Sequence, residues 1–269
     1  MKHEGVMDSI FGENQKFIVI AGPCAVESLD QIMVSAMELS SLGIPILRAE
    51  IFKPRTDPDS FQGVGRDGLD MIKKVKSKTG IAVVTEVMDP DELDGVEEVA
   101  DIIQIGSRNS QNFSLLKKVG RSSHPILLKR GFGNTIEEFI QSSRYISAQG
   151  NRNIIMVERG IRTFEDSLRF TLDIGAIPVL HERVKFPVLV DPSHPAGKSR
   201  YVESLSLSGV GAGADGLMIE VHPDPPAALS DRNQQLNFVQ FRNLLEKIDA
   251  LLSAMGKERI MGREIKEDI

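Results

Sequence analysis

Ile44-Pro45-Ile46-Leu47-Arg48-Ala49-Glu50-Ile51-Phe52-Lys53-Pro54-Arg55-Thr56 is the stretch from which the fold can be read. Residues 46–52 form a short, mostly apolar run that reads as a strand. Lys53-Pro54-Arg55-Thr56 follows at once and packs two cations, a rigid ring and a hydroxyl into four residues. Pro54 fixes its own backbone and pushes Lys53 toward an extended conformation. The cations are therefore displayed at a strand end. Such a tetrapeptide alone is ordinarily a solvated turn, and what changes its meaning is that seven other strand-like runs end in ionisable groups.

Working outward from it, the same alternation recurs along the chain. Residues 17–23 are an apolar run stopped by Gly22-Pro23. Ser28 and Asp30 can cap a helix whose apolar positions Ile32, Met33, Ala36, Met37 and Leu39 recur at helical spacing up to Gly43. Further strands are predicted over 81–87, 102–105, 125–128, 154–157, 186–190 and 216–221, and helices over 68–78, 90–100, 112–119, 135–148, 164–174, 199–210 and 233–255. Eight β-α units in 269 residues predict a (β/α)8 barrel. The strands are short and rich in Val, Ile and Leu, as suits a parallel sheet covered on both faces. A doubly wound open sheet is the alternative, but no Gly-x-Gly-x-x-Gly follows the first strand. The expected organisation is an extension over 1–16, which closes the barrel bottom as a strand or loop, a barrel over 17–255 and a polar, frayed tail over 256–269.

Bulk properties narrow the function. Hydrophobic residues make up 41% of the chain, which is ordinary for a globular core. The net charge of −6 gives no reason to expect nucleic acid or an anionic membrane as partner. The single cysteine, Cys24, forbids an intrachain disulfide and fits a reducing cytoplasm. No apolar run reaches 18 residues, and the charged start Met1-Lys2-His3-Glu4 leads into no signal-like segment.

In such barrels chemistry sits at the C-terminal ends of the strands. Those positions hold Cys24; Arg48 with Lys53 and Arg55; Glu86; Arg108 with Asn109; Lys129 with Arg130; Glu158 with Arg159; Asp191 with His194; and Glu220 with His222. Two groups emerge. Cys24, His194, Glu220 and Asp231 offer thiolate, imidazole and carboxylates, a donor set suited to a divalent Mn, Fe, Co or Zn ion. Each also has an ordinary structural role open to it, and no two of them share a short metal motif. Arg48, Lys53, Arg55, Arg108, Lys129 and Arg159 form a cationic group. Six positive charges facing one cavity call for anions, and two phosphorylated substrates, one also a carboxylate, would match them.

At these residues the chain resembles the 3-deoxy-D-arabino-heptulosonate 7-phosphate (DAHP) synthase family. The matching stretches are Ala-Gly-Pro-Cys-Ala-Val-Glu-Ser (21–28), Phe-Lys-Pro-Arg-Thr (52–56), Ser-Phe-Gln-Gly (60–63), Gly-Ser-Arg-Asn (106–109), Leu-Lys-Arg-Gly (128–131), Glu-Arg-Gly (158–160), Asp-Pro-Ser-His (191–194) and Gly-Ala-Asp-Gly-Leu-Met-Ile-Glu-Val-His (213–222). The resemblance implies a metal-dependent condensation of phosphoenolpyruvate with erythrose 4-phosphate, the entry step of the shikimate pathway toward chorismate and the aromatic amino acids. It also implies a homo-oligomer, a dimer or tetramer. Cys24, His194, Glu220 and Asp231 match the family's metal ligands. Arg48, Lys53, Arg108, Lys129 and Arg159 match its phosphoenolpyruvate cradle, and Arg55 with Thr56 its sugar-phosphate site. Lys53, beside both substrates, is the expected proton donor, with a pKa depressed by neighbouring cations. Glu86 is the candidate for ordering the attacking water.

The chain departs from the family pattern in two places. Ala49-Glu50-Ile51 stands where the family often has Gly-Gly-Ala, and Asp57 where it often has Ser. Asp57 is expected to turn away from the sugar phosphate and either hold Arg55 or cap the following turn. With about sixteen residues before the first strand, feedback inhibition by aromatic amino acids is not expected. The nearest rival is 3-deoxy-D-manno-octulosonate 8-phosphate synthase, which uses arabinose 5-phosphate. It carries an Asn-Arg-Ser type stretch where this chain has Pro54-Arg55-Thr56. A metal-dependent hydrolase barrel would need clustered His ligands, and the chain has five His in all.

Overall fold

A computed structural model describes residues 16–55 and 57–262. Eight parallel strands follow one another around a closed barrel: β1 Lys16–Gly22, β2 Ile46–Arg48, β3 Ala82–Glu86, β4 Ile102–Ile105, β5 Ile126–Lys129, β6 Ile154–Glu158, β7 Val188–Val190 and β8 Gly216–Glu220. Closure comes from β1, which pairs with β8 on one side and with β2 on the other. The fold is a (β/α)8 barrel. Among the described residues, no helix is long and apolar enough to cross a membrane.

Side chains alternate across each strand, and this builds two apolar layers. Ile18, Ile20, Ile46, Val84, Ile102, Leu127, Ile155, Val157, Leu189 and Met218 point inward and fill the barrel. Phe17, Val19, Leu47, Val83, Ile103, Leu128, Met156 and Val190 point outward and pack under the helices. Local caps set where these helices start, and the last one begins at Phe238, not at 233 as expected. Ser28 accepts from Gln31 N at the start of Leu29–Ser41. Thr135 and Glu138 form a reciprocal capping box before Ile136–Ser147, and Asn237 with Gln240 does the same before Phe238–Ala254.

Three local expectations are corrected. The strand expected over 46–52 stops at Arg48, because beyond it the chain leaves the ladder to form the cleft wall. The helix expected over 164–174 does not form, and the helix of this unit is Ala176–Arg183. Glu165 Oε1 accepts from the backbone N–H of Asp166 and Ser167, a local turn that competes with helix. An Ile161–Thr171 bridge then folds the segment back on itself. The tail from Gly256 is also more than a frayed end: Glu258–Arg259 pairs with Lys16 and Phe17, and buried Ile260 joins the inner cluster at the barrel bottom. The bottom-closing role expected of residues 1–16 lies, but for Lys16, outside the described residues.

Candidate active site

The inward parity of the strands continues past their apolar residues. Two positions after Ile46 comes Arg48, after Val84 comes Glu86, after Ile102 comes Gln104, after Leu127 comes Lys129, after Val157 comes Arg159, after Leu189 comes Asp191, and after Met218 comes Glu220. All seven are buried. Arg130 and Glu158 have the opposite parity, and they pair with each other at 2.7 Å, with Asp173 completing the set. The period of two thus sorts strand-end charges into cleft and support.

At the cleft floor Arg48 is wholly buried, with Nη2 at 3.2 Å from Glu220 Oε1 and 3.5 Å from Glu50 Oε1. Burial disfavours its charge, but Glu220 and Glu50 overcome that and hold its pKa above the usual range. Arg48 Nε and Nη1 make no hydrogen bond. Lys129 Nζ meets Asp191 Oδ2 at 2.8 Å, and the same oxygen lies 2.6 Å from His194 Nδ1. Asp191, although buried, is kept well below the usual carboxylate range by His194 and Lys129.

Cys24, Glu220 and Asp231 each bring one donor atom into a group spanning 4.8 Å. His194 stands one step aside, with Nε2 at 3.5 Å from Glu220 Oε1. A carboxylate can only accept, so Asp191 fixes the His194 proton on Nδ1 and leaves the Nε2 lone pair facing the cluster. Burial pulls the His194 pKa down to about 4, so the ring is neutral near pH 7. Glu220 Oε1, fully buried, accepts no hydrogen bond. Two lone-pair groups facing each other, beside a thiol and a second carboxylate, fit a divalent cation. Burial, then Glu220, raise the Cys24 thiol far above its usual range, so the thiolate needs a positive ion beside it.

The loop carrying Asp231 is tied into the barrel by residues that sequence reasoning passed over. Cys24 N–H donates to Gln235 Oε1 at 3.0 Å, and Gln235 Nε2 donates to Ser230 O at 2.8 Å. Gln234 Nε2 donates to Glu220 Oε2 at 2.6 Å. Asp231 sits at φ 47, the one left-handed non-glycine among the described residues. That backbone placement is uncommon for a side-chain-bearing residue and is found disproportionately at functional sites. Despite burial, Lys53 and Arg169 keep the Asp231 carboxyl well below its usual range.

Above the floor opens a cleft of about 560 Å³, lined by Arg48, Lys53, Arg55, Arg108, Lys129 and Arg159 together with Arg169, Glu86, His194 and Asp231. The six cations expected from the strand ends are all here. Arg159 lies over the rings of Phe170 and Phe132, with its guanidinium carbon 4.2 and 4.9 Å from their centroids. Burial lowers its pKa to about 10. Lys129 and Arg108 are shifted down for the same reason. Lys53 is the correction. Burial does lower its pKa, but Cys24 and the Glu220 and Asp231 carboxylates outweigh burial and Arg48, leaving it raised. Acids across the barrel, invisible from Lys53's own neighbours in sequence, decide the sign. Arg55 bonds to Ser230 Oγ and lies 3.8 Å from Asp231 Oδ1. Thr56 lies outside the described residues.

Glu86 is buried next to Glu50, whose Oε2 accepts from Glu86 N–H at 2.7 Å, and its own Oε2 accepts from Gln104 Nε2 at 3.1 Å. Burial and the Glu50 charge raise its pKa to about 7. A Cβ at position 106 would come 2.1 Å from Glu86 Oε1, so Gly106 leaves the room the carboxyl occupies. Asp57 accepts from Asp59 N–H and the Ser60 hydroxyl, capping the turn as expected. Of the functional candidates, Arg169, Glu50, Gln104 and the Gln234–Gln235 pair were not foreseen. The parity of two identifies Glu50 and Gln104, whereas Arg169 falls on a predicted helix that does not form.

Residues 2–254 match the profile of the DAHP synthetase I family. A phospho-2-dehydro-3-deoxyheptonate aldolase of Thermotoga maritima is 50% identical over 243 residues, covering 90% of this chain and 72% of that protein. A crystal structure of that enzyme type, DAHP synthase, from the same organism has a TM-score of 0.89 at 49% identity, covering 91% of this chain and 72% of that one. A 2-dehydro-3-deoxyphosphooctonate aldolase of Syntrophobacter fumaroxidans is more distant, 31% identical over 261 residues, covering 90% of this chain and 89% of that protein.

Proposed function

The chain belongs to the DAHP synthetase I family, and from that premise we infer that its cleft joins phosphoenolpyruvate to erythrose 4-phosphate, releasing DAHP and phosphate. The observation that supports this most is the placement of a thiol, imidazole and carboxylate cluster directly beside a basic cleft in one barrel mouth. The catalytic unit in this reading is the barrel over 17–255.

Cys24, His194, Glu220 and Asp231 would hold a divalent Mn, Fe, Co or Zn ion. Such an ion, when bound, supplies a Lewis acid for the charge that develops on the aldehyde oxygen. The protein's own residues do the rest. Arg48, Lys53, Arg108, Lys129 and Arg159 hold the phosphate and carboxylate of phosphoenolpyruvate, with Arg159 fixed in orientation by its two aromatic neighbours. Arg55 and Thr56 receive the phosphate of the aldose. As C3 of the enolpyruvate bonds to the aldehyde carbon, Lys53, protonated throughout the neutral range, gives a proton to the aldehyde oxygen. Water then adds at C2, and Glu86, with its pKa near 7, takes the proton that this water loses. Collapse of the C2 adduct breaks the C2–O bond to phosphate and leaves the C2 ketone, the remaining hydroxyl proton going to the departing phosphate. The working form is proposed to be a homo-oligomer in the cytoplasm.

The test is an assay of phosphoenolpyruvate loss with erythrose 4-phosphate and arabinose 5-phosphate side by side, with and without a chelator. Rapid, chelator-sensitive turnover with erythrose 4-phosphate is expected, and a preference for arabinose 5-phosphate would overturn the reading. Cys24→Ala should lower bound metal and activity together, by roughly 100-fold or more, with the barrel still folded. Full metal content in that variant would remove Cys24 from the ligand set.

A further inference from the structure

We propose that Arg169 is the second arm of a clamp on the phosphate of the aldose substrate, closing on it from the side opposite Arg55. The proposal rests on the condensation reading above and concerns a residue to which that reading assigns no role.

Three observations carry it. The first is where Arg169 stands. The inner cleft adjoins an outer cavity of about 830 Å³ lined by Arg55, Ser60, Phe61, Arg169, Arg232 and Gln234. Arg55, Arg169 and Asp231 line both spaces, so they form the gate between them. The second is what the two arginines share. Asp231 lies between them, with Oδ1 at 3.8 Å from Arg55 Nη2 and Oδ2 at 3.1 Å from Arg169 Nη1. A single carboxylate spans both guanidiniums, so one small oxyanion at this gate can touch both. The third is mounting. Arg169 Nη1 also donates to Gln234 Oε1 at 2.8 Å. Its Cβ region packs on Gly197, where φ is +64 and an added Cβ would meet Arg169 Cβ at 2.8 Å. The stem is therefore fixed, while the side chain stays 37% exposed toward the cavity.

The chemistry of the substrates assigns the anion. Phosphoenolpyruvate carries its carboxylate and phosphate close together and takes the buried cations Lys129 and Arg159 together with the exposed Arg108. The aldose must bring its aldehyde inward to meet C3. Its phosphate sits at the far end of a short carbon chain and so comes to the gate. A phosphate dianion offers three terminal oxygens, enough for two guanidinium forks. Arg55 alone would meet one side of it. A helix over 164–174 would carry Arg169 on a regular spiral, whereas the folded-back loop brings it to Asp231.

The experiment is steady-state kinetics and metal analysis on Arg169→Ala and Arg169→Lys, using manganese-loaded full chain. Arg169→Ala is expected to raise the KM for erythrose 4-phosphate by about tenfold or more, as for loss of a charge-assisted phosphate contact. The KM for phosphoenolpyruvate should stay within about twofold, and bound manganese should stay stoichiometric. Arg169→Lys, which keeps the charge but loses the fork, should fall between Ala and the parent. A rise in both KM values together, or loss of manganese, would show that Arg169 merely positions Asp231 and would overturn the clamp. An unsubstituted chain that failed to consume phosphoenolpyruvate with erythrose 4-phosphate would instead sink the condensation reading itself.

Discussion

The floor of the cleft and its outer wall hold the same residue types in opposite ways. On the floor Arg48, Glu50, Glu220, Lys129 and Asp191 are buried and paired with one another. On the wall Arg55 and Arg169 keep 21% and 37% of their side chains exposed and share one carboxylate, Asp231. A buried charge must be balanced by neighbours before any ligand arrives, because desolvation costs several kcal/mol per ion. A wall charge is screened by water and can wait for its ligand nearly unbalanced. The need for two anionic substrates therefore cannot be read from the cation count alone, since the floor already contains its own carboxylates. The wall and the stacked Arg159 carry the stronger demand for an anion.

The largest expected effect lies on the floor. Arg48→Met should cost about 3–5 kcal/mol of folding stability, because Glu50 and Glu220 would be left buried without their guanidinium. Urea unfolding measures this, and a loss below about 1 kcal/mol would erase the distinction between floor and wall. Next comes Glu86. Its folded pKa of about 7 lies above the ordinary value of 4.5. The stabilising contribution is thus complete below the ordinary value and is lost as pH rises through the folded one. Glu86→Gln should match the parent chain near pH 4.5 and exceed it by about 2–3 kcal/mol above pH 7. Thermal melts of metal-free protein across that range would show it, and a flat difference would remove the buried, protonated carboxyl. On the wall, Arg55→Ala should raise the KM for erythrose 4-phosphate by about tenfold while changing stability by less than about 1 kcal/mol. Equal changes in both substrates' KM would merge the two phosphate sites. The smallest effect is expected at Asp57, whose carboxylate is engaged in its own turn. Asp57→Ser should leave the KM for erythrose 4-phosphate within about twofold, and a several-fold improvement that fades with added salt would place the carboxylate against the phosphate.

The sequence by itself determined the barrel and most of the cleft's composition. Eight apolar runs separated by helical periodicity specify the units, and adjacency along the chain places Lys53, Lys129, Arg159 and Glu220 at strand ends without knowledge of any other strand. The alternation of side chains even sorts Glu86 and Lys129 inward and Arg130 and Glu158 outward. Only the tertiary structure decided which charge answers which. The carboxylates that raise the Lys53 pKa come from strands and loops more than 150 residues away in sequence. Arg169 reaches Asp231 across 62 residues by abandoning a helix its own segment suggested. Ile260 returns from the end of the chain to seal the barrel bottom. Periodicity is a local property of the backbone and can be read along the chain, whereas electrostatic balance depends on distance in space, which exists only once the barrel has closed.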